Sequence, residues 1–254
     1  MEHIIVRDNL AYDCSSKSDV HFDIASNSNL KLLLTNFESV NNLEINVEDN
    51  SVLFLSIFAH KSINEAKITA NIGENSKFIA YFADFTQERN HLDASINLNK
   101  KDAAAEWHLA SLSGNVDDKE IAVNIYHNSP LTYGKIDNYG VCKDQSKLVF
   151  SGISHIVKGC HKSASHQNAK IVVFDDNCKA IAKPILKIDE NDIEASHAAV
   201  VGKVSDEHMF YLTSRGLSSE EAKLLITLGY LKPILVGFDD SMKAEINKEI
   251  EGRL

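Results

Sequence analysis

Proline and glycine are scarce in this sequence, three and 11 of 254 residues. A β-sandwich is normally punctuated by many Gly and Pro turns. A chain this poor in both must turn its corners with residues such as Asn and Asp, which tolerate the left-handed conformation and bond their own backbone. Cysteine is also sparse: Cys14, Cys142, Cys160 and Cys178 lie far apart with no Cys-x-x-Cys pairing. That spacing argues against a zinc ribbon and a disulfide framework, and fits reduced thiols in a cytoplasm. Basic residues are outnumbered, 26 Lys plus Arg against 36 Asp plus Glu for a net charge of −10. The acidic residues are scattered, so no basic face is expected to bind nucleic acid. No segment approaches the ~18 uncharged apolar residues of a membrane span. The N-terminal Met-Glu-His-Ile-Ile-Val-Arg-Asp has no basic region leading into an apolar run. The expectation is a soluble, cytoplasmic protein without membrane or nucleic-acid partners. A nucleophile elbow, a phosphate-binding loop and an HExxH helix are all missing, which argues against ATP hydrolysis by the chain itself.

Hydrophobic residues make up 44% of the chain, enough for a large core, and they come in short runs. From about residue 20 to residue 204 alternating or wholly apolar runs recur at intervals of roughly ten to fourteen residues. They include Leu30 to Phe37, Leu43 to Val47, Val52 to Phe58, Ala66 to Ile72, Lys77 to Phe82, Ala94 to Leu98, Ile121 to Tyr126, Lys147 to Ile153 and Lys170 to Phe174. This is an all-β pattern. Its bends are marked by Asn41-Asn42, Glu48-Asp49-Asn50 and Gly73-Glu74-Asn75. One strand per short interval with Asn at the corners suits a β-solenoid, in which each coil buries its apolar face by stacking on the next. On pattern alone, solenoid and sandwich stand level.

After Val204 the period becomes helical. Ser205 can cap a short helix holding Met209, Phe210 and Leu212, which Gly216 can end with a positive φ. Ser218-Ser219-Glu220-Glu221 is a capping box, followed by Ala222, Leu224, Leu225 and Leu228 at helical spacing and stopped by Gly229. A last helix starts near Asp240, with Met242, Ile246 and Ile250 as one apolar stripe. The chain divides into a short N-terminal segment (1–17), a β core (18–203) and a C-terminal helical subdomain (204–254).

An ordered set of short motifs runs through the C-terminal half. It comprises Ser163-Ala164-Ser165-His166-Gln167, Ala182-Lys183-Pro184-Ile185-Leu186, Ala195-Ser196-His197, Val201-Gly202, Phe210-Tyr211-Leu212, Ser214-Arg215-Gly216, Glu220-Glu221-Ala222 and Gly229-Tyr230. Over roughly residues 140 to 235 this set resembles the SufB/SufD family of the SUF iron–sulfur cluster assembly system. The resemblance implies a right-handed parallel β-helix (β-solenoid), mainly β, with a small C-terminal α-helical subdomain that docks an ABC-type ATPase, SufC. It also implies a pair of β-helix subunits joined through their C-terminal strands, a SufB-like chain or a second copy, with a transient iron–sulfur cluster held near the junction. SufB-type members carry a cysteine where this chain has Asn168, and SufD-type members carry a Ser-His pair where Ser196-His197 stands. The chain reads as SufD-like, and as a short form without the family's usual long N-terminal region.

His197 is the leading candidate site residue. A neutral imidazole can ligate iron beside thiolates from a partner; the plainer alternative is a histidine hydrogen-bonded in a packed strand between Ala195 and Ala199. Cys160, with His161, His155 and His166 nearby, is the one Cys/His cluster. It is a metal or persulfide candidate if Lys158 and Lys162 lower the thiol pKa, although a polar turn explains it equally well. Phe210, Tyr211, Arg215, Gly216 and Glu221 fall on the surface expected to face the ATPase, with Arg215 offering a fork to a carboxylate; many of the apolar positions would instead seal the helices against the last β coil. His108 and Tyr126-His127 read as structural. Two other function classes stay open: a homodimeric adaptor that binds the ATPase without ligating a cluster, and, remotely, a polysaccharide-acting β-helix using Asp175, Asp176, Asp189, Glu190 and Asp192.

Overall fold

In the computed structural model, residues 2–253 are described and form a two-sheeted β body followed by helices. The strands are β1 (Glu2–Val6), β2 (Leu10–Asp13), β3 (Asp19–Ile24), β4 (Asn29–Thr35), β5 (Asn42–Val47), β6 (Val52–Ala59), β7 (Ile63–Ile72) and β8 (Lys77–Asp84). They continue as β9 (Arg89–Leu98), β10 (Ala104–Ser113), β11 (Asp118–His127), β12 (Tyr133–Cys142), β13 (Lys147–Ile156), β14 (Ser163–Val173), β15 (Lys179–Ile188) and β16 (Ile193–Lys203). Odd-numbered strands make one eight-stranded sheet and even-numbered strands the other. Every strand lies parallel to its neighbours in the sheet. Each coil therefore lays one strand on each sheet, which is a parallel β-solenoid and not a sandwich.

Stacking keeps like on like. Val20, Leu43, Ile68, Ala94 and Val123 are successive partners up the first sheet, and their side chains fill the space between the sheets with Phe22, Phe78, Phe82 and Trp107. The corners bear out the Asn reading at two of the three patches. Asn27, Asn50 and Asn75 adopt φ of 57°, 58° and 52°. Each donates its N–H to the turn of the next coil, at Asp49 O (3.1 Å), Glu74 O (2.9 Å) and Lys101 O (3.1 Å). At the third patch Asn42 opens β5, and the left-handed residue is Asn36, φ 51°. Strands also begin earlier than residue 18: β1 and β2 pair with β3 and β4 and form the first coil.

The helices are α1 (Asp206–Ser214), α2 (Ser219–Leu231) and α3 (Asp240–Gly252), with a 3-10 turn at Lys232–Gly237. Ser205 and Ser218 cap α1 and α2, the latter with the reciprocal Glu221 bond of a capping box, and Gly216 takes φ 95°. Gly229, expected to stop α2, lies inside it. The stop comes two residues later, where Pro233 in the 3-10 turn cannot extend the helical ladder. Leu231, Ile234, Phe238, Met242, Ile246 and Ile250 pack on Phe58, Phe85, Leu112, Val141, Val172 and Phe174. The helices thus cover the outer face of the second sheet, which explains strands buried on both sides. Arg253, just past α3, fastens the end: its guanidinium donates to Phe85 O and Thr86 O (3.0 Å each) and to Asp117 (2.7 Å).

Candidate functional site at the open end of the solenoid

β15 and β16 each pair on one side only, so the last coil presents its other edge uncovered. Sheet edges of this kind offer unpaired backbone groups to another chain. Apolar side chains accompany them: Ile185, Ile188, Val200 and Val201 are all exposed. Pro184 sits on β15, as befits a strand that ends a sheet.

His197 belongs to an inward-facing row. The register stacks Leu32, Leu55, Ala80, Trp107, Ile136, Gln167 and His197 in line. The row is apolar until Gln167, which donates to Ser154 Oγ (2.7 Å) and Ile185 O (3.1 Å). His197 then closes it in the open, exposed and not packed in a strand interior. Asn168 is the neighbour of Gln167 and so points to the opposite, outer face, where it donates to Tyr139 Oη (3.2 Å). A cysteine at that position would share no face with His197.

Cys160 departs from its expectation. It is buried, its thiol donates to His127 O (3.2 Å), and burial, reinforced by Glu190, pushes its pKa up, not down. An accessible thiolate is not available there. The histidines around it do not converge: His155 bonds Asp189 (2.9 Å), His161 bonds Gly159 O (3.1 Å) and His166 bonds Ser196 Oγ (2.8 Å). Cys14 and Cys142 are also buried, their thiols pushed up to about 12, mainly by desolvation.

The helical surface divides the remaining candidates. Phe210 is 72% and Tyr211 57% exposed, and the Arg215 guanidinium stacks 5.3 Å above the Tyr211 ring. All three are exposed. Glu221 and Gly216 shape the turn between α1 and α2 instead, one as half of the capping box and the other as the left-handed end of α1. Beside them a groove of about 760 Å³ runs between the outer side of β12, β14 and β16 and the helices, lined by Tyr139, Lys170, Val200, His208, Tyr211 and Tyr230. Four of the five carboxylates considered for glycan chemistry are occupied in turns: Asp175 caps Asp144 N–H, Glu190 accepts from Gly159 N–H, Asp176 pairs with Lys203 and Asp189 with His155. One convergent group escaped the sequence reading, His3 with His21 and Asp23. His21 and Asp23 alternate on one strand, but only the 18-residue register step brings His3 beside them.

A parallel two-sheeted β-solenoid with a helical appendage folded back on one sheet is the class of protein that these strands and helices define. Within that class, residues 14–230 match the family described as SUF system FeS cluster assembly, SufBD core domain, and the chain belongs to that family. It is 36% identical over 117 residues to the iron–sulfur cluster assembly protein SufD of Bacillus subtilis, a match covering 46% of this chain and 27% of that protein. It is 28% identical over 148 residues both to SufB of Bacillus subtilis and to a SufBD family protein of Staphylococcus saprophyticus, covering 57% of this chain and 32% of each relative. The matches thus span about a third or less of these relatives.

Proposed function

We propose that the chain is a non-catalytic scaffold subunit of a SUF-type iron–sulfur cluster assembly complex. It binds a SufC-like ABC ATPase through Phe210, Tyr211 and Arg215, and pairs through β15 and β16 with a SufB-like subunit or a second copy of itself. The cluster is its cargo. The observation that carries this reading is the open end of the solenoid, where an inward apolar row turns polar at Gln167 and finishes in exposed His197 beside unpaired edges and exposed Ile185 and Val201. An imidazole there can complete a mixed ligand set, with thiolates from the partner, since Cys160 is buried.

Anaerobic reconstitution with iron and sulfide, in the presence of the ATPase and a SufB-like chain, tests it. The complex is expected to develop a cluster absorption that His197→Ala reduces severalfold. A normal cluster signal from His197→Ala removes the ligand assignment. Co-purification with the ATPase but no iron uptake would point instead to an adaptor.

A further inference from the structure

At the opposite end of the first sheet, three side chains from two adjacent strands meet on its outer face. His3 on β1 is the register partner of His21 on β3, and Asp23 follows His21 on the same face. One potential ligand atom from each lies within 4.8 Å of those from the other two. His3 Nε2 is 2.5 Å from Asp23 Oδ2, and His21 Nε2 is 2.8 Å from Asp23 Oδ1. We propose that His3, His21 and Asp23 form a binding site for a first-row divalent metal ion of the zinc or ferrous-iron class.

Two imidazoles and one carboxylate are a donor set such ions favour, leaving further positions for water or another ligand. The surroundings orient these donors. Glu44, the register partner of His21 on β5, places Oε2 3.6 Å from His21 Nδ1. At that ion-pair distance the carboxylate favours a proton on Nδ1, the tautomer in which Nε2 can ligate a metal. Asn46 fixes the same arrangement from the other side. Its amide Nδ2 lies 2.9 Å from both His21 Nε2 and Asp23 Oδ1, and its own Oδ1 is claimed by Asn71, which Asn97 holds in turn. This asparagine ladder turns an N–H group toward His21 Nε2 and Asp23 Oδ1, and an ion entering between the three side chains would displace that N–H from Nε2 and the contact between His3 Nε2 and Asp23 Oδ2.

A second cluster, with one histidine and two carboxylates, serves as contrast. In His91–Asp118–Glu120 the Lys147 ammonium already bridges both carboxylates, and the Arg89 guanidinium donates to His91 Nδ1 (2.9 Å). That cluster has its cation. Among the described residues no Lys or Arg pairs with His3, His21 or Asp23. The site is also distinct from the His197 end. β1 and β15 are the two edges of an eight-stranded sheet, roughly 33 Å apart at ~4.8 Å per strand.

The metal-depleted full chain, titrated with Zn2+ against a chromophoric chelator and with Co2+ by visible absorption, tests this. The expected result is uptake of one equivalent, with a cobalt spectrum of nitrogen and oxygen ligands lacking a thiolate band. His21→Ala and the isosteric Asp23→Asn should each weaken binding by more than about tenfold, Glu44→Gln by about tenfold, and His91→Ala not at all. Zinc should raise the unfolding midpoint of the unaltered chain and leave that of Asp23→Asn unmoved. Absence of stoichiometric uptake, or undiminished binding by both His21→Ala and a folded Asp23→Asn, overturns the proposal. Either result leaves the role of His197 untouched.

Discussion

At the scale of single residues, the buried polar groups are the most exacting. His127 is buried, bonded through Nδ1 to Thr132 Oγ1 (2.8 Å), and desolvation lowers its pKa to about 4. The unfolded chain binds a proton on this residue near pH 6.5 that the folded chain refuses. Stability is therefore complete above that value and falls as pH drops toward 4, by about 2 kcal/mol between pH 7 and pH 5. Urea unfolding of the unaltered chain and of His127→Gln at both pH values checks this, because the variant should lose most of the slope. Asp84 and Lys119 make a second such case. Both are fully buried, with Lys119 Nζ 3.1 Å from Asp84 Oδ2 and Thr86 Oγ1 2.6 Å from Oδ1. Lys119→Met strands a buried carboxylate and should cost about 3–5 kcal/mol in the same assay, part of which Asp84→Asn in the double variant restores. The structural role of His127 could be read from its place on a strand. The Asp84–Lys119 pair could not, since it joins strands of different sheets 35 residues apart.

At the scale of elements, the helices were the most legible part, because their signals are local. Ser205, Ser218, Glu221 and Gly216 each act within one turn of themselves, and the Met242–Ile246–Ile250 stripe is the buried face of α3. The coils were less legible. Val20 pairs with Leu43, 23 residues on, whereas Leu148 pairs with Ala180, 32 residues on. A drifting repeat hides the solenoid from any search for a fixed period, which left it level with a sandwich until the motif resemblance tipped the balance. The same locality yields a prediction for the appendage. Ile246 is fully buried in the cluster between α3 and the second sheet, so Ile246→Ala should remove about 2–5 kcal/mol from that docking. Limited proteolysis should then cut the chain within α3 while the β body remains intact.

At the scale of the whole molecule, two surfaces lie on different parts of the chain: the open end at β15 and β16, and the α1–α2 face around Phe210 and Tyr211. The resemblance implies a role for each, but says nothing of how their side chains point. Which way His197 points, and that Asn168 points the other way, follows only from the register between β14 and β16. If the two surfaces serve two partners, they must fail separately. Val201 lies on the same inward face of β16 as His197, four residues further on and above Ile171, and is 43% exposed. Val201→Lys introduces a charge into an edge that pairing would desolvate, without touching the core below. In sedimentation experiments this variant should lose its association with a SufB-like chain or with itself, yet still bind the ATPase. Phe210→Ala combined with Tyr211→Ala should do the reverse, losing the ATPase and keeping the subunit pair, because exposed aromatics of this kind anchor interfaces. Loss of both partners in either variant would mean that the open end and the helices form one continuous interface.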